Sequence, residues 1–157
     1  MQYKKNCFQH NLRLFLIILT FLFNFPAYAA GSSSDSKTST TKSTYYYDAM
    51  NLIKNKSFVS AIKSLKKAEM NSKNDPDIYN YLGFANRKLG NLEQASYNYS
   101  KALKISPKHK GALEYQGEMF LTLGKLEKAE ANLKKLESIC FLGCKEEKIL
   151  KESISKY

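Results

Sequence analysis

The sequence predicts an all-α fold of three helix-turn-helix repeats closed by a C-terminal capping helix. Ala61, Ala95 and Ala129 stand 34 residues apart, and Gly83 with Gly117, Gly90 with Gly124 and Ala68 with Ala102 keep the same interval. Large residues run in step with them: Phe58, Leu92 and Leu126; Leu65, Tyr99 and Leu133; Tyr45, Tyr79 and Leu113. A fixed period of this length, with small and large residues at constant phase, means stacked helical pairs. No segment shows convincing period-two alternation, so no sheet is expected.

The chain opens with a segment that is not part of that fold. Lys4, Lys5 and Arg13 form a basic head, residues 12–25 are almost unbroken apolar, and Pro26 precedes Ala27-Tyr28-Ala29. Basic region, apolar region and small-x-small site together read as a secretory signal peptide over residues 1–29, cleaved between Ala29 and Ala30. The competing reading is a permanent membrane anchor. The apolar run is about 14 residues, short of the roughly 20 that span a bilayer. The residue directly after the cleavage site is Ala30 and not Cys, so a lipid anchor is not expected. Residues 30–44 are rich in Ser, Thr and Lys, with no large apolar side chain to offset the entropy of ordering them. They read as a flexible spacer.

The helices follow in order. The pattern places α1 at about 44–55, α2 at 58–72, α3 at 76–89, α4 at 92–105, α5 at 109–123, α6 at 126–139 and α7 at 145–156. Asp75-Pro76 supplies a capping side chain and a proline at the first helical position of α3. Asn91 with Gln94 three residues on is a capping-box pattern for α4. Gly90 and Gly124 suit positive φ where α3 and α5 stop. Pro107 ends α4, because proline disfavours helix at the residue before it. The repeats are then residues 45–75, 76–109 and 110–143, with the cap at 144–157. Ile149 and Ile154 would lay α7 on the apolar face of α6.

These phases resemble the tetratricopeptide repeat. The second copy places Tyr79, Leu82, Gly83, Asn86, Ala95, Tyr99, Ala102 and Pro107 on that family's pattern. The third gives Leu113, Gln116, Gly117, Phe120, Ala129, Leu133 and Leu136, and the first gives Tyr45, Asp48, Ala49, Leu52, Ala61, Leu65 and Ala68. Asn86, Gln116 and Asp48 depart from hydrophobic consensus positions. The segment from Ala112 onward is also similar to small exported repeat proteins of alphaproteobacteria. The resemblance implies a right-handed superhelix whose first helices line a concave groove. Carried over, groove positions are Tyr46, Tyr47, Met50, Ile53 and Lys54 on α1. On α3 they are Asp77, Asn80, Tyr81, Phe84, Arg87 and Lys88, and on α5 Glu114, Tyr115, Glu118, Leu121 and Thr122. Aromatic rings with a few charges suit peptide binding, because Tyr gives large contact area with little entropy loss. The family's chaperone-tail clamp is not expected, since Tyr46, Met50, Tyr81, Gly111 and Tyr115 occupy its basic and amide positions.

Composition narrows the chemistry. The chain carries 25 Lys and Arg against 14 Asp and Glu, a formal charge of +11. Loss of Lys4, Lys5 and Arg13 with the signal peptide leaves 22 against 14, or +8. The lysines are scattered over helical turns and loops, which favours a solvated surface over an anionic ligand. Nucleic acid is not expected for an exported chain. Richness in Lys, Asn, Ser, Ile and Tyr suits an AT-rich genome, and with this style of signal peptide the reading is a Gram-negative periplasm. Secretion from a eukaryote is the weaker option.

Cys140 and Cys144 are the only cysteines after residue 29. An even count in an oxidising compartment favours a disulfide, and residues four apart on a helix are within its reach. A redox-active pair or a Cu(I) site, which soft thiolates suit, are the alternatives. His109 reads as an exposed loop residue. Glu114 and Glu118 lie one helical turn apart and read as a solvated face. No catalytic constellation, cofactor loop or full metal-ligand set is visible. The expected function is a non-enzymatic periplasmic module binding a peptide segment or helix of an envelope protein in its groove. A role in thiol or copper handling is the alternative, and self-association through Tyr45 to Tyr47 is a third reading.

Overall fold

The computed structural model describes residues 42–157. The signal peptide and all but the last three residues of the spacer lie outside them. Seven α-helices and no strand are present among the described residues. They are α1 Thr44–Lys54, α2 Phe58–Asn71, α3 Pro76–Lys88, α4 Leu92–Ile105, α5 Lys110–Thr122, α6 Leu126–Ile139 and α7 Lys145–Ser155. Each helix packs on its chain neighbour, α3 also meets α5, and α7 packs on both α5 and α6.

The turns inside the three repeats are copies of one another. Residues 56, 90 and 124 all have positive φ, at 58°, 80° and 68°. Each is followed by a backbone bond closing the helix end: Ser57 N to Leu52 O at 2.8 Å, Asn91 N to Asn86 O at 2.9 Å and Lys125 N to Phe120 O at 2.8 Å. A second bond runs from Lys56, Gly90 and Gly124 N to Ile53, Arg87 and Leu121 O. This pairing is the Schellman end, which satisfies carbonyls the helix leaves orphaned. Gly90 and Gly124 suit the left-handed position; Lys56 occupies it against its own steric preference.

Those bonds explain why the capping box at Asn91 does not form. Asn91 makes no side-chain cap bond. Its backbone N–H, which Gln94 would have to engage, is already given to Asn86 O. Asp75 does cap α3, accepting from Asp77 N at 3.0 Å. One period later His109 caps α5, its Nδ1 accepting from Ala112 N at 3.0 Å. The expectation of an exposed loop histidine is therefore corrected.

Close helix approach follows the small residues, with one change of partner. A Cβ on Gly83 would sit 2.6 Å from the Tyr99 ring of α4. A Cβ on Gly117 would sit 2.6 Å from Leu150 of α7, so the cap enters the space opened by that glycine. Leu150 is buried against Leu113 and Leu136, with Ile154 beside them. Ile149 instead faces a polar cavity, so the predicted apolar contact of the cap rests on Leu150 and Ile154. The two polar departures in the core are satisfied: Asn86 donates to Leu82 O at 2.8 Å, and Gln116 accepts from Asn132 at 3.1 Å.

Candidate functional site

Because the helices repeat every 34 residues, the inner-face residues form columns. Tyr46, Asn80 and Glu114 make one, Tyr47, Tyr81 and Tyr115 the next, and Met50, Phe84 and Glu118 a third. The first column is buried throughout. The second is exposed at Tyr47 and half-buried at Tyr81 and Tyr115. This second column, with Phe84, is the accessible row.

The rings touch along the row. Tyr46 meets Tyr47 edge-on with centroids 5.6 Å apart, and Tyr46 meets Tyr81 at 6.0 Å. Phe84 lies 4.9 Å from Tyr115 and 6.1 Å from Phe58 of α2. Arg87 lies 5.8 Å from both the Phe84 and Tyr115 rings and donates to Glu118 at 2.6 Å. Two half-buried rings, a fixed guanidinium and a carboxylate thus form one rigid patch at the α3–α5 end. Lys88 is exposed, with its Nζ over the Phe84 ring at 5.3 Å.

Several groove candidates are structural. Met50 and Ile53 pack against the first core cluster, which includes Tyr46. Leu121 is buried, and Thr122 donates to Glu118 O at 3.1 Å. Lys54 is exposed. Asp77 receives Lys42 at 2.5 Å and pairs with His109 Nε2 at 2.8 Å. The hydrogen bond from His109, opposed by burial and aided by Lys42, holds its carboxyl far below the usual carboxylate range. Sequence alone does not pair Lys42 or His109 with Asp77; the signal is a 32-to-35-residue separation between charged or polar side chains, which the period alone does not select.

Glu114 departs most from the expected solvated face. It is 4% exposed. Burial, helped by Glu118 and Glu146 and opposed by Arg87 and Lys145, pushes its pKa up to about 8. The cause is tertiary: the start of α7 covers this part of α5. Tyr115 beside it is pushed up to about 12, first by burial and then by Glu114.

The exit of α6 holds the cysteine pair. Cys140 ends α6 and Cys144 precedes α7; the two sulfurs meet, with Cα atoms 5.6 Å apart, within disulfide range. Gly143 turns the chain at φ 80°, and Phe141 and Leu142 between the cysteines are exposed. Glu147 brings a carboxylate oxygen within 4.8 Å of both sulfurs, a third potential ligand that spacing alone did not single out. No helix among the described residues is long and apolar enough to cross a membrane.

Residues 76–109 match the family model described as tetratricopeptide repeat. No curated protein matches the chain by sequence. Solved structures match by fold. The Arabidopsis OM64 TPR domain is 19% identical, with a TM-score of 0.64, covering 71% of this chain and 92% of that one. The Yersinia enterocolitica type III secretion chaperone SycD in complex with a peptide of the translocator YopD is 21% identical, with a TM-score of 0.62 and coverage of 71% and 85%. The first TPR of Spaghetti (RPAP3) bound to the HSP90 peptide SRMEEVD is 17% identical, with a TM-score of 0.63 and coverage of 71% and 88%. The chain carries a tetratricopeptide repeat at residues 76–109, and its described residues have the fold of tetratricopeptide-repeat domains.

Proposed function

We propose that this protein is a non-enzymatic interaction module of the bacterial periplasm. It binds a peptide segment or helix of an envelope protein against the inner faces of α1, α3 and α5. The observation that carries this reading is the accessible row of Tyr47, Tyr81, Phe84 and Tyr115, with Arg87 fixed between two rings and Glu118. Rings already held by packing lose little freedom when a partner covers them, so contact area converts efficiently into affinity. Two structures of the same fold hold peptides, from YopD and from HSP90, which supports a protein ligand here. The signal-peptide pattern of residues 1–29 supports export. In the test, Tyr81→Ala with Phe84→Ala should abolish capture of an envelope protein while circular dichroism stays unchanged. Undiminished capture would remove the groove from the reading.

A second reading assigns the work to Cys140 and Cys144 in thiol or copper handling. It is favoured by the convergence of both sulfurs with Glu147. Mass spectrometry of the protein isolated from cells separates the two. An intramolecular disulfide without copper supports the groove reading and leaves the cysteines as a staple between α6 and α7. Free thiols with stoichiometric copper would support the second.

A further inference from the structure

A polar cavity of about 290 Å³ lies between α3, α5 and the start of α7. Tyr81 and Tyr115 line it as well as the accessible row, so it adjoins the groove. Since one water occupies about 30 Å³, the space admits the end of a long side chain. Two buried polar side chains line it, and one of them carries an acceptor that no donor meets. Glu114, 4% exposed, is one of the two. Asn80 is 3% exposed and its Oδ1 has no hydrogen-bond partner. Buried polar groups are rarely left this way, because each unmade bond costs the desolvation of the group.

Among the cations nearby, Lys145 itself lines the cavity and Arg87 Nε has no partner. Arg87 is held by Glu118 at 2.6 Å, and Lys42 and His109 are held by Asp77. Lys145, at the start of α7, is exposed and neighbours Glu146, which also lines the cavity. The unpartnered amide oxygen of Asn80 and a carboxylate released from its proton would both accept from an ammonium or a guanidinium, which donates without accepting and carries positive charge. We infer that this cavity receives the charged end of a Lys or Arg side chain from the segment held in the groove, with Glu114 and Asn80 Oδ1 as its acceptors. Tyr81 and Tyr115 supply aromatic walls that attract a cation. This assignment rests on the groove reading and specifies the partner's chemistry.

Occupancy is linked to a proton. The groups around Glu114 are Glu118 and Tyr115 on its own helix, His109 at the head of that helix, Asp77, Tyr81 and Arg87 on α3, Tyr99 on α4, and Lys145 and Glu146 on α7. With its pKa near 8, the empty site holds a proton on Glu114 at pH 7. An entering cation favours the carboxylate, so the carboxylic acid gives its proton to solvent as the ion pair forms. Binding at pH 7 therefore releases a proton, and affinity rises between pH 6 and pH 8.

Calorimetric titration of the protein as isolated tests this, using blocked pentapeptides that differ only in a central Arg, Lys or citrulline, and agmatine as a free cation. Measurement in two buffers of different ionisation enthalpy counts the protons. The expected result is binding of the Arg and Lys peptides with proton release, and about tenfold weaker binding of the citrulline peptide. Glu114→Gln should abolish the release and weaken the Arg peptide similarly. Asn80→Ala reads the same cavity if that variant does not fold. Equal binding of citrulline, unchanged proton release in Glu114→Gln, or no binding of any peptide would overturn the inference. Binding of agmatine alone would overturn the peptide source. Loss of partner with Tyr81→Ala/Phe84→Ala but not with Glu114→Gln would sink the cavity and leave the groove standing.

Discussion

Repeats 1 and 2 share a backbone but not the residues that suit it. The left-handed turn position holds Gly90 in the second and Lys56 in the first, at nearly the same φ. The helix opening repeat 2 has a side-chain cap from Asp75, whereas Ser43 makes none at the start of α1. Tyr79 is 1% exposed and donates to Lys73 O at 2.7 Å; Tyr45, in the same register, is 41% exposed. The close approach is made by Gly83 against Tyr99 in one, and by the pair Ala49 and Leu65 at the equivalent places in the other. Stacking imposes the geometry on each unit, and local sequence decides how comfortably the unit adopts it.

The sharpest way to break this comparison is to truncate the paired tyrosines. Tyr79→Ala should cost about 3–5 kcal/mol, because it empties a buried aromatic site. Tyr45→Ala should cost less than about 1 kcal/mol. Urea denaturation measures both, and equal losses would mean that repeat 1 is packed as tightly as repeat 2.

The next effect depends on pH. Glu114 has a folded pKa near 8, above the ordinary carboxylate value of 4.5. Between those values the folded state holds a proton that the unfolded state has lost, so stability falls as pH rises from 5 to 8. Asp77 acts oppositely, since its carboxyl is held low in the fold; its contribution is lost only as pH falls below about 4. Glu114→Gln should flatten the decline between pH 5 and 8 and be the more stable protein at pH 8, by up to a few kcal/mol. An unchanged pH profile would show that Glu114 is solvated after all.

Gly83→Ala should destabilise by about 1–3 kcal/mol, since the added methyl meets the Tyr99 ring. Adding Tyr99→Leu, which copies repeat 1, should recover most of that loss, and a double-mutant cycle reads the coupling. The smallest effect has the opposite sign. Lys56→Gly should stabilise by about 1 kcal/mol by relieving the left-handed lysine. A loss on thermal denaturation would mean that the Lys56 side chain contributes more than its backbone costs.

The fold was legible because its determinants repeat: Ala, Gly and large residues at one phase leave little choice of architecture. The columns of the groove were legible for the same reason, since 46, 80 and 114 share a phase with one another. How deeply each place is buried was not. Glu114 reads as a solvated face, yet it is buried because the start of α7, an element outside the period, covers this part of α5. His109 reads as a loop residue until Asp77 is brought beside it. Leu150 and Ile149 are equally apolar in sequence, and only the angle at which the cap meets α5 and α6 decides which fills the space at Gly117.

Whether the inner face is where a partner sits can be tested in living cells with a photo-crosslinking phenylalanine analogue. One strain carries it at Tyr81, in the accessible row, and another at Tyr97, which is exposed on α4. The account predicts a discrete protein adduct from position 81 that disappears when Phe84→Ala is added, and none from position 97. An adduct from position 97 alone, or the same adduct from both, would contradict it.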